Sequence, residues 1–248
     1  MAAEITSMIS RRNLLRLGAF AGVAAAFAPV LPLDFAQAQE VCNGSRPAIP
    51  ATALQALIDG NAMWAAGTQT YPGQDTARRD CVATNAQTPF ASILSCSDSR
   101  VPPELLFDQG LGDLFVARVA GNTARGKLLE SLLYGQSNLG TPLLFVMGHS
   151  NCGAVTTAVQ SYPHHQLEFI NLIFPAVKRA RKIVKQNGGD PTDPAQVIPV
   201  ATDQNVLIVA DALRKYFKKA IGDGSAFNIA GGRYDLDTQV VTILSPLA

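Results

Sequence analysis

Three short apolar runs punctuate the middle of the chain: FASILS at 90–95, LFVARVA at 114–120 and TPLLFVMG at 141–148. Each is nearly continuous and is followed by polar or glycine-containing residues. Strands buried on both faces of a parallel sheet have this pattern. Helical spacing surrounds them. Leu54, Leu57, Ile58 and Trp64 mark a helix from Thr52 to about Gly67, and residues 126–140 read as a crossover helix ending on Gly140. Further helices are expected over 153–160, 166–186 and 203–220. The tail AFNIAGGRYDLDTQVVTILS alternates around a Gly-Gly step like two closing strands. Strand and helix in this order predict an α/β fold: one domain with a mostly parallel central sheet wrapped by helices.

The first forty residues stand apart from this pattern. Arg11 and Arg12 precede an Ala-rich apolar stretch from Leu17 to Leu31, and Ala36-Gln37-Ala38 offers small residues for cleavage. The stretch is short for a membrane span and is broken by Pro29 and Pro32. It resembles a twin-arginine export signal covering residues 1–38. Residues 39–50 form an irregular lead-in, and residues 51–248 form the domain. The expected location is periplasmic or otherwise exported.

Composition narrows the partners. The 248 residues are 48% hydrophobic and 16% charged, with a net charge of +1. Removing the signal takes three of the 20 basic and two of the 19 acidic residues, which leaves the rest neutral. Nothing in that balance attracts nucleic acid or an anionic membrane. Four cysteines remain to be assigned. Cys42 and Cys81 lie in polar, loop-like stretches and are able to pair in an oxidising compartment; the sequence leaves that pairing open.

The other two cysteines sit among chemical groups. The first apolar run is followed by CSDSRVPPE (96–104), and the third by HSNCG (149–153). If the first strand continues, Cys96, Asp98 and Arg100 alternate onto one face, and Asp98 and Arg100 form a charge-assisted pair. His149 and Cys152, three apart, suit the first turn of a helix. Ligands of such sheets bind outside the carboxyl ends of the strands, where both segments end. Two thiolates and an imidazole suit zinc. His164 and His165, in SYPHHQ, read as an exposed loop with no second metal site.

Together CSDSRVPPE, GDLFVARVAGN (112–122), GHSNCGAV (148–155) and GGRYDLDT (231–238) resemble the β-class carbonic anhydrases. The match runs from about Leu54 to the end. The resemblance implies one zinc ion per chain, held by Cys96, His149 and Cys152, and an Asp98–Arg100 catalytic dyad. It also implies a substrate pocket of Gln87, Phe115, Tyr134 and Gly153, partly supplied across a homodimer or a dimer of dimers. The implied reaction is reversible hydration of carbon dioxide to bicarbonate and a proton, by hydroxide formed at zinc and oriented by Asp98. Asp98 also has a second possible place, as a fourth metal ligand that closes the site. Gln87, and Ile93 where closing relatives carry tryptophan, favour the open form. Ala120 stands where a larger aliphatic residue is common, so pocket width departs from the family pattern. Two rivals remain on the same fold: hydrolysis of an analogue such as carbonyl sulfide or carbon disulfide, and a catalytically silent zinc-binding or sensing protein.

Overall fold

A computed structural model describes Cys42, residues 46–222 and residues 227–247. The export signal read at 1–38, and most of the lead-in, lie outside these. The strands are β1 (Ala91–Ser95), β2 (Leu114–Arg118), β3 (Leu143–His149), β4 (Asn228–Tyr234) and β5 (Val241–Ser245). They form one sheet in the order β2-β1-β3-β4-β5, parallel except for β5. The helices are α1 (Pro50–Ala66), α2 (Thr76–Thr84), α3 (Pro103–Leu106), α4 (Gly126–Ser137), α5 (Gly153–Ser161), α6 (Glu168–Asn171), α7 (Phe174–Gln186) and α8 (Pro194–Ile221).

The three apolar runs are strands for the reason their composition suggested: β1 and β3 are buried along their whole length. Alternation sends Ile93, Phe145 and Met147 to one face, against Leu57, Val155 and Val177 of α1, α5 and α7. Leu94, Leu144 and Val146 point to the other, against Leu132 of α4 and Val206, Val209 and Leu213 of α8. Each fully buried aliphatic side chain contributes roughly 2 kcal/mol over exposure, so two packed faces hold the central strands. The edge strand β2 is only half-buried throughout.

Several boundaries differ from the sequence reading. The run 166–186 is two helices, because Pro175 has no N–H to continue a ladder through it. Helix α8 begins at Pro194, where Asp193 accepts a hydrogen bond from the Ala195 amide, and it runs on through Pro199. The Gly231–Gly232 step lies inside β4, at a register shift against β5. Cys81 is on helix α2, not in a loop, and forms a disulfide with Cys42. This helix gave no periodic signal because Arg78 is its one buried residue.

From β1 the chain passes outward to β2, then returns to lay β3 on the other side of β1. Such a reversal opens a crevice at the carboxyl ends of the two strands it separates. Here those ends are Ser95 and His149. Gly148, just before the histidine, is a point of close approach: a Cβ there would lie 2.6 Å from Cγ2 of Val206, so glycine lets α8 pack onto β3.

Candidate metal centre

Cys96 directly follows β1, His149 ends β3, and Cys152 is the residue before α5. All three are buried, and their ligating atoms lie within 4.8 Å of one another. The two Sγ atoms are 3.9 Å apart. This is the one group of three such side chains among the described residues that could hold a metal ion. The Nδ1 of His149 lies 2.8 Å from the Ser150 carbonyl, so that nitrogen carries the hydrogen and Nε2 is left as a bare acceptor. Nε2 is buried with no hydrogen-bond partner. An orphaned buried nitrogen costs about 1–3 kcal/mol, and a cation would satisfy it. Two sulfurs and one imidazole nitrogen are a donor set for zinc; the residues fit the ion.

The two thiols are close enough for one to donate to the other. A hydrogen bond from Cys152 draws the Cys96 thiol well below its ordinary range, helped by His149 and by the Gly121 and Asp98 backbones. The same hydrogen bond, with burial, pushes Cys152 up. The Gly121 amide donates to Cys96 Sγ at 3.3 Å. Gly121 has φ of 74°, and a Cβ there would meet Cδ1 of Ile173 at 2.6 Å, so both conformation and space require glycine.

Beside the sulfurs, Arg100 grips Asp98 with Nε on Oδ1 at 2.9 Å and Nη2 on Oδ2 at 2.7 Å. The Arg100 hydrogen bonds hold the Asp98 carboxyl well below the usual carboxylate range. Asp98 Oδ2 is 3.8 Å from His149 Nε2, but both carboxylate oxygens are committed to Arg100. The pairing arises differently from the expected strand alternation. Strand β1 stops at Ser95, and a turn closed by the Val101 amide on the Asp98 carbonyl folds Arg100 back. Likewise His149 and Cys152 are not on one helical turn. They flank a bend in which Asn151 has φ of 53°.

Two residues missed by the sequence reading support this loop. Arg118 donates from Nε to the Cys96 carbonyl at 2.9 Å and from Nη2 to the Asp98 carbonyl at 2.6 Å. Its signal was a lone cation in the run LFVARVA; that of Gly121 was a glycine just beyond the end of that run.

The residues expected to form a pocket are not all gathered beside the trio. Phe115 and Tyr134 meet, with ring centroids 6.2 Å apart, but Phe115 pairs with Ser92, near the start of β1. Gln87 precedes β1 and is exposed. The five residues of β1, about 16 Å of strand, separate that end from Cys96. Tyr134 is 47% exposed. Gly153 opens α5 beside Cys152, and a Cβ there would meet nothing within 4 Å, so the chain's own packing does not demand a glycine. His164 is exposed, and His165 uses Nδ1 to accept the Leu167 amide, which spends it on the turn.

The family described as Carbonic anhydrase matches residues 91–241, which span strands β1 to β4 and both halves of the candidate metal group. The chain belongs to the carbonic anhydrase family. It is 39% identical over 139 residues to a carbonic anhydrase of Mycolicibacterium smegmatis, covering 54% of this chain and 67% of that one. It is 44% identical over 110 residues to carbonic anhydrase 2 of Mycobacterium tuberculosis, covering 44% and 53%. The matched stretch thus spans between about half and two thirds of these relatives. Among solved structures, the β-carbonic anhydrase of Coccomyxa in complex with acetazolamide aligns over 79% of this chain and 87% of its own, at 26% identity and a TM-score of 0.57. The carbonic anhydrase fold here is therefore of the β class.

Proposed function

We propose that this carbonic anhydrase family member binds one zinc ion at Cys96, His149 and Cys152 and catalyses reversible hydration of carbon dioxide to bicarbonate and a proton. The observation that carries this is the buried ligand trio with a gripped carboxylate 3.8 Å from its unpartnered nitrogen. When bound, zinc supplies Lewis acidity that brings the pKa of water towards neutrality.

The residues of the chain do the rest. Asp98, held ionised by Arg100, can only accept a hydrogen bond. The attacking oxygen must therefore turn its O–H towards Asp98 and a lone pair towards the carbon. Arg100 prevents Asp98 from swinging into the ligand trio, so the position for water stays open. The Gly153 amide, at the head of α5, offers a donor for charge developing on a bicarbonate oxygen. Gln87, Phe115 and Tyr134 lie too far from their own chain's trio to take part there. We infer that a second copy supplies these three: the amide of Gln87 for a substrate oxygen, and the two rings as an apolar seat for an uncharged gas. The working unit is then a homodimer or a dimer of dimers. Among the described residues no helix is long and apolar enough to cross a membrane.

A stopped-flow hydration assay on the zinc-loaded protein tests the reading. Carbon dioxide turnover is expected to exceed hydrolysis of carbonyl sulfide or carbon disulfide on the same preparation. Absence of turnover with full zinc occupancy would leave a binding or sensing protein instead. Export belongs to the same proposal. Arg11 and Arg12 are its address, and the Cys42–Cys81 disulfide suits an oxidising destination. Changing both arginines to lysine should strand the protein in the cytoplasm; unchanged export would overturn the assignment.

A further inference from the structure

Gln87 hangs between two anchors, and both lead back to one disulfide. On one side, Asn85 closes α2 onto Cys81, with its backbone amide at 3.2 Å and its Nδ2 at 2.8 Å from the Cys81 carbonyl. On the other side, Arg46 donates from Nη1 to the carbonyl of Thr88 at 2.9 Å. Arg46 lies four residues after Cys42, which is bonded to Cys81.

Helix α2 adds little apolar packing to this corner. Helix α2 has nine residues, and the one that is buried is Arg78. A helix so short has little stability of its own. Arg78 is tied to the same place: its Nη1 donates to the Cys42 carbonyl at 2.5 Å, and its Nη2 shares Asp113 Oδ1 with Arg46. Arg46 also reaches the Gly112 carbonyl at 3.0 Å. Two buried arginines thus converge on Asp113, just before the edge strand that carries Phe115. The half-buried disulfide and both arginines line a cavity of about 670 Å³, which gives a small reductant access.

We propose that Arg46, tethered by the Cys42–Cys81 disulfide, is a positioning residue for Gln87, so that catalysis depends on the oxidation state of that bond. The inference rests on the reading of Gln87 as a substrate-binding group. Breaking the disulfide removes the covalent tie on Cys42 and leaves the Arg78 contact to its carbonyl, so Arg46 then has to hold its own segment against the entropy of a loosened chain. The Thr88 carbonyl loses a fixed donor, and the Gln87 amide loses its aim.

The probe is tris(2-carboxyethyl)phosphine applied to the zinc-loaded protein. Phosphorus attacks one sulfur, the S–S bond breaks, and water gives its oxygen to phosphorus and its two protons to the thiolates. Thiol titration and metal analysis confirm two new thiols and unchanged zinc. Reduction is expected to lower kcat/KM roughly tenfold, within the range for a misplaced group, and to speed amide exchange at residues 85–88 but not in β1. In Gln87→Ala, which is already impaired, reduction should cause no further loss. Arg46→Ala should mimic reduction, and Arg46→Lys, which keeps a donor, should recover part of the loss.

An unchanged kcat/KM after full reduction overturns the proposal. So does an equal loss in the wild type and in Gln87→Ala, because the disulfide would then act on the whole fold. A native kcat/KM in Gln87→Ala with the disulfide intact fails differently. It overturns the role of Gln87 itself, while amide exchange still reports whether the clamp exists.

Discussion

The carboxyl edge of the sheet and the Gln87 corner are fixed by different means. At the edge, Cys96 and His149 continue strands whose backbones pair with two neighbours each and whose side chains are buried on both faces. The remaining loop is stitched by Arg118, Gly121 and the Asp98 turn. At the corner, a short exposed helix and the six-residue connection 85–90 are tied down by two arginines and one covalent bond. On the proposed function, the group that would hold the metal lies among buried paired strands, where local opening should be costly, and the group that would meet substrate lies where it should be cheaper. Breaking the first region should cost the metal, and breaking the second should cost only aim.

The largest effect is expected at the edge. Cys96→Ser should lose zinc and activity, and lower the melting temperature by about 10 °C, since ligand bonds contribute to folding. Full zinc occupancy by metal analysis would contradict the assignment. Next comes Asp98→Asn, which should keep zinc and fold while lowering kcat about a hundredfold, because an amide can point a donor at the attacking oxygen. Near-native turnover at neutral pH would make the dyad structural. Arg100→Ala should show a related loss, accompanied by a closed coordination spectrum in a cobalt-substituted sample as the released Asp98 takes the fourth position.

Cys42→Ser sharpens the contrast from the other side. Opening a 39-residue separation should lower stability by about 2–4 kcal/mol in denaturant, yet zinc should remain bound. Loss of the metal in that variant would show that the two regions are not independent. The smallest effect is expected for Gly121→Ala, about 1–3 kcal/mol from a left-handed φ and the contact with Ile173. Unfolding curves that overlay the wild type would remove Gly121 from the support of Cys96.

Much of the edge could be read from the chain. Apolar runs buried on both faces announced β1 and β3, and the residues that follow such strands fall at one rim, so Cys96, His149 and Cys152 were visible as neighbours. The turn that brings Arg100 onto Asp98 was not, because an acid two residues before a base fits both a strand and a turn. The corner left almost no trace. Helix α2 lacks an apolar stripe, its cysteine looked like part of a loop, and Arg46 and Arg78 meet Asp113 across 67 and 35 residues of chain.

Sequence alone determined the fold class, the convergence of Cys96, His149 and Cys152, and the acid–base pair beside them, because each follows from local pattern: burial on two faces, strand ends, and side-chain chemistry. Tertiary structure decided which tautomer of His149 faces the sulfurs, which turn holds Asp98, and that Cys42 reaches Cys81. It also decided that Gln87, Phe115 and Tyr134 lie at the far end of β1 from their own chain's metal group. Periodicity specifies which face a residue takes but carries no information about which distant segment will lie against it. That depends on how the whole sheet and its helices close on one another.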